Sequence, residues 1–102
     1  MNREQIIATL RAHEPELKAL GVLRLSVFGS TARGKSLTDS DIDVAVRLGE
    51  NFSKPGLDYF SRLDDLQRRL CEMLGCKLDV VEEPVRKERF QKHIDMDRAL
   101  AF

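Results

Sequence analysis

The sequence predicts an α/β (α+β) domain, a three-stranded mixed sheet in order 1-2-3 flanked by helices. Three observations predict it. Apolar residues recur at helical spacing near both ends and in the middle of the chain. Between those segments the period shifts to two, in three short runs. Glycines stand where one pattern yields to the next, at Gly21, Gly29 and Gly75. The 102 residues suffice for one core, so a single domain over 1–102 is expected.

Residues 2–14 read as a first helix, with Ile6, Ile7 and Leu10 recurring at helical spacing. Pro15 interrupts it, and Pro15 to Leu20 forms another short turn that faces Leu17 and Leu20 inward. Gly21 suits its C-terminal cap. From Val22 to Phe28 the residues Leu23, Leu25 and Val27 share one face of a strand. Gly29-Ser30 ends that strand. Ser30 can cap a short helix through Thr31-Ala32-Arg33, which Gly34 stops. A polar loop then leads to a second strand, Asp41 to Leu48. Ile42, Val44, Val46 and Leu48 lie on one of its faces, Asp41 and Asp43 on the other.

Gly49 to Gly56 is a loop. An amphipathic helix follows from Asp58, stepping through Tyr59, Leu63, Leu66, Leu70 and Met73 until Gly75 closes it. The third strand is Lys77 to Val81, with Leu78 and Val80 facing one way and Asp79 the other. After Pro84, Val85 to Leu100 reads as a charged final helix with Phe90 and Ile94 inward. The short link between the first two strands favours an antiparallel pair. The helix between the second and third favours a parallel crossover. Gly29-Ser30, Asp41, Asp43 and Asp79 then meet at one end of the sheet.

Composition narrows the function classes. Lys and Arg number 17 and Asp and Glu 17, without the basic excess of a free-standing nucleic-acid binder. With one Tyr and no Trp there is no aromatic platform for RNA either. No run approaches the roughly 20 apolar residues of a membrane span, and the polar start, Met1 to Gln5, lacks a signal peptide's apolar core. A cytoplasmic protein without membrane contact is expected. Cys71 and Cys76 complete no zinc pattern and read as reduced, partly buried thiols. His13 and His93, isolated among charges, read as surface histidines.

The candidate chemistry lies in the three aspartates and the glycine turn. Magnesium takes oxygen ligands from a few carboxylates, phosphates and water. Two ions about 3.5–4 Å apart can stabilise both oxygens of an in-line displacement. Asp41 and Asp43 could hold two such ions, and Asp79 could complete one and orient or deprotonate an acceptor hydroxyl. Gly29 permits close approach of backbone to phosphate, and Ser30 could hydrogen-bond the terminal phosphates. Arg33 either adds charge there or points outward as a surface arginine. The plainer alternative is solvated polarity, since most Asp-x-Asp pairs are loop ends, as Asp39 is taken to be. The conjunction of a turn ending one strand, aspartates opening the next and Asp79 within a third favours the site.

Gly29-Ser30-x10-Asp41-x-Asp43, with Ala32-Arg33-Gly34 inside, resembles the DNA polymerase β-type nucleotidyltransferase superfamily. Size and the Gly-Ser-x-Ala-Arg-Gly form resemble its minimal nucleotidyltransferases (MNT), over nearly the whole chain, and Lys77 to Val81 matches the third motif. Lys35 stands where such sequences often carry an acidic or neutral residue, and Thr38 where proline is common.

The resemblance implies that Gly29 and Ser30 bind nucleotide phosphate and that Asp41 and Asp43 bind two Mg2+ ions, with Mn2+ as a substitute. Asp79 becomes the third catalytic carboxylate, also a metal ligand. It implies transfer of AMP from ATP to a hydroxyl. MNT proteins are commonly paired with HEPN toxins, as antitoxins that in some cases adenylylate a toxin tyrosine. That partner is expected here. The alternatives are an antitoxin that neutralises by binding alone and, more weakly, transfer to a small molecule such as an aminoglycoside.

Overall fold

The computed structural model of the protein describes residues 2–29, 42–52, 59–75 and 77–102. Asn2 and Gln5 cap the first helix reciprocally. The Asn2 side chain accepts from the Gln5 amide at 2.9 Å, and the Gln5 side chain accepts from the Asn2 amide at 3.0 Å. Helix α1 (Arg3–Ala12) buries Ile6 and Leu10. Helix α2 (Glu14–Ala19) carries Pro15 in its first turn, where a missing N–H leaves no bond unmade, and buries Leu17.

Strand β1 (Val22–Phe28) pairs antiparallel with β2 (Ile42–Leu48), and β2 pairs parallel with β3 (Leu78–Glu82). Helix α3 (Tyr59–Leu74) is the crossover between β2 and β3, and its apolar stripe buries Leu66, Leu70 and Leu74. The antiparallel and parallel pairings follow the expectation from connection length.

The sheet itself has four strands, in order β3-β2-β1-β4, and not three in order 1-2-3. The extra strand, β4 (Ala99–Leu100), pairs antiparallel with β1, Ser26 opposite Leu100 and Val27 opposite Ala99. It lies where the sequence predicted helix. Helix α4 spans only Glu88–Asp97, because Arg98 at φ −52° and ψ 126° leaves the helical region. At the other end, the Val85 amide donates to the Gln91 side chain at 3.0 Å. A strand of two residues shows no periodicity to read.

A second correction concerns Leu23. Val22 lies opposite Leu48 and Arg24 opposite Arg47, so two steps on β1 match one on β2. Leu23 is the extra residue of this bulge. It is 57% exposed, while Val22 enters the core in its place.

Each face of the sheet has its own core. The larger lies under α1, α2 and α3 and includes Leu10, Leu25, Val44, Val46, Leu66 and Leu70. The smaller lies under α4, where Phe28, Ala45 and Ile94 are buried with Val81 and Val85 packed against them. Among the described residues no helix is long and apolar enough to cross a membrane.

Candidate active site

The alternation of β2 and β3 decides which face their aspartates take. Ile42, Val44 and Val46 belong to the larger core, as do Leu78 and Val80 on β3. Residues between them point to the opposite face, the one α4 partly covers. That face carries Asp43 and Asp79, which are direct register partners across the parallel pair. Strands in a sheet lie about 4.8 Å apart, so the two aspartates are adjacent residues on one face.

On its other side Asp43 lies opposite Phe28, the last residue of β1. Gly29 follows at φ +75°, a conformation that costs an L-residue strain. A Cβ at Gly29 would stand 2.6 Å from Oδ2 of Asp43. The positive φ favours glycine here, and any larger residue would also push the end of the Asp43 side chain aside.

Of the six predicted site residues, Gly29, Asp43 and Asp79 are brought together on this face. Ser30, Arg33 and Asp41 lie outside the described residues, as do the short helix expected from Thr31 to Arg33 and the thiol of Cys76. Among the described residues no group of three or more His, Cys, Asp or Glu side chains could hold a metal. Asp43 and Asp79 contribute two carboxylates, all-oxygen donors suited to a hard divalent cation.

Further along the same face is a polar network that sequence reasoning missed. The Glu83 side chain is 1% exposed, and Arg98 donates to both of its carboxylate oxygens, to Oε1 at 2.8 Å. Gln91 donates to Glu83 at 2.6 Å. Arg98 also donates to the Ser26 hydroxyl at 2.9 Å and to Asp95 at 2.8 Å. The Arg98 guanidinium holds the Glu83 carboxyl below its ordinary range, against the opposing effect of burial. The network joins the segment after β3 to α4 and β1.

A second missed pair lies on the other face. The Tyr59 hydroxyl donates to Glu82. Burial, then the Glu82 hydrogen bond and charge, push the phenol up from 10.0 to about 12. Because the folded state holds this proton more tightly, the pair's contribution is full below pH 10 and is lost as pH rises through about 12. Tyr59 is the only tyrosine. An ultraviolet titration of the native protein should therefore show a single tyrosinate transition near 12 that Glu82→Gln moves down. A transition at the value of a free phenol would disprove the pairing.

The nucleotidyltransferase domain family matches residues 10–101. The protein adenylyltransferase MntA of Thermococcus cleftensis is 35% identical over 92 residues, which cover 89% of this chain and 87% of the relative. A solved structure proposed to be a minimal nucleotidyltransferase superposes with a TM-score of 0.77 at 27% identity, covering 97% of this chain and 95% of the other. A crystal structure of a toxin–antitoxin with AMP-PNP shares the fold, with a TM-score of 0.65 at 24% identity over 100% of this chain and 73% of that one. The match over nearly the whole sequence, with two aspartates in register beside a glycine turn, places the chain in the nucleotidyltransferase domain family, among its minimal members, and makes it a nucleotidyltransferase.

Proposed function

We propose that the protein transfers AMP from ATP to a hydroxyl, a tyrosine's, on a partner HEPN toxin and so acts as an antitoxin. The observation that carries the reading is the register of β2 on β3, which sets Asp43 beside Asp79. The turn at Gly29, closed on the Asp43 carboxylate, adds a place where backbone can approach phosphate. The Thermococcus relative is named a protein adenylyltransferase, which supports a protein acceptor.

In this reading Asp41, Asp43 and Asp79 hold two Mg2+ ions, or Mn2+ in their stead. The ions, when bound, stabilise charge on the attacking and leaving oxygens. Asp79 orients the acceptor hydroxyl and takes its proton. The acceptor oxygen bonds to the α-phosphorus of ATP, the bond from that phosphorus to the bridging oxygen breaks, and pyrophosphate leaves. Gly29 and Ser30 hold the departing phosphates, and Arg33 adds positive charge.

Incubation with α-labelled ATP, Mg2+ and the protein encoded by the neighbouring gene tests this, beside an Asp41→Asn/Asp43→Asn control. Label on the partner, absent with the control, is the expected result. A protein that neutralises its partner without labelling it would instead be an antitoxin acting by contact.

Gly29→Ala tests the turn. Positive φ costs an L-residue roughly 1–2 kcal/mol, and the new Cβ must displace the Asp43 carboxylate. Urea unfolding should show that loss of stability. AMP transfer should fall on the order of a hundredfold, as small misplacements of catalytic groups do. Unchanged transfer would dissociate the turn from the site.

A further inference from the structure

We infer that Phe90 is the surface against which the nucleobase of the bound nucleotide stacks, an inference that rests on the nucleotidyl-transfer reading. Ile94, one turn later on α4, is fully buried, yet Phe90 is 40% exposed. Phe90 meets Phe28 edge-on, with ring centroids 6.0 Å apart and planes at 64°. Phe28 in turn is the register partner of Asp43 and the residue before Gly29. An open aromatic ring therefore stands one side-chain layer from the turn that closes on the Asp43 carboxylate.

Two further observations favour a nucleotide over the acceptor. Phe90 touches Phe28 on β1, the strand that leads into the Gly29 turn, whereas Asp79, to which the proposed function assigns the acceptor, lies on β3 beyond Asp43. Lys87 and Arg86, three and four residues before Phe90 and exposed, stand at the spacing that shares its side of the first turn of α4. In a chain of formal net charge +0 they set two cations at that end of the helix. That combination suits a polyanion carrying a flat base.

The test uses the whole protein with Mg2+, titrated with ATP and with inorganic tripolyphosphate, which has the charge but no base. Phe90→Leu keeps an apolar contact with Phe28 and removes the ring face. It should bind ATP about 5- to 100-fold more weakly, as loss of one base–aromatic stack does, and tripolyphosphate as the wild type does. The chain has no tryptophan, so Phe90→Trp places a single reporter at the site. Its emission should be quenched by ATP and not by tripolyphosphate. If Phe90→Leu binds ATP as tightly as the wild type, or loses both ligands equally, the stacking role is overturned and nucleotidyl transfer stands. If the wild type binds neither ligand, both readings fall.

Discussion

Asp43→Asn is expected to slow AMP transfer about a thousandfold or more while leaving the fold intact. Asparagine keeps the size of the side chain and most of its hydrogen-bonding capacity but removes the charge. In the proposed site that charge faces the metal ions, whose stabilisation of the displacement is worth several kcal/mol, and each 1.36 kcal/mol is about a tenfold change in rate. Asp43 is the residue to choose because it stands between the other two described parts, with Asp79 beside it on β3 and the Gly29 turn against its Oδ2. Stability should move the other way. Like charges directly opposite on neighbouring strands repel, so the variant should be unchanged or more stable by roughly 0.2–1 kcal/mol. Labelled-ATP assays and urea unfolding on the same preparation separate the two effects. Transfer at the wild-type rate would remove Asp43 from the chemistry.

Arg98→Met should cost about 3 kcal/mol of stability, a fall in Tm of roughly 10–20 °C for a domain this size. Methionine preserves the apolar stem of the arginine but leaves Glu83, whose side chain is 1% exposed, a buried carboxylate with Gln91 as its remaining donor. Breaking a buried pair from one side is costly because the surviving charge keeps its desolvation penalty without its partner. The pH dependence has a definite sign. Arg98 lowers the Glu83 carboxyl below its ordinary 4.5 in the folded state. The folded protein then binds fewer protons than the unfolded chain. The stabilisation is present above pH 4.5 and is lost as pH falls through the lowered folded value. Arg98→Met should flatten that acid limb. Calorimetry across pH 3–7 checks both points, and a loss under about 1 kcal/mol would mean the pair contributes little.

The pairing of Asp43 with Asp79 was legible in the sequence because two strong local signals combine. The period of two set each aspartate on the face opposite the larger core, and a helix between the strands favours a parallel pair. The core followed for the same reason, in Ile42, Val44, Leu66 and Leu70. What was not legible depends on contacts between distant residues or on one-residue irregularities. β4 is too short to carry a pattern and exists only because β1 offers it an edge. Leu23 reads as sharing a face with Leu25 and Val27 because a bulge cannot be seen from one strand alone. Arg98 carries no signal of its own within the charged final helix the sequence predicts, and its partner Glu83 stands outside that helix altogether. Phe90 read as core, yet it keeps an open face. In each case the deciding term was tertiary, not local propensity.

The two cores of unequal size imply that the molecule does not open uniformly. Native-state hydrogen exchange should resolve two tiers of protection. Amides of β1 and β2 sit over the larger core and should exchange through near-global unfolding. Those of α4 rest on the small cluster of Phe28, Ala45 and Ile94 and on the Glu83–Arg98 pair, and should exchange through a cheaper, partial opening. Such an opening would lift Phe90 off Phe28 without disturbing the register that holds Asp43 beside Asp79. Asp43 belongs to the slow-exchanging tier and Phe90 to the fast one, so a nucleotide stacked on Phe90 as proposed would register first as protection of α4.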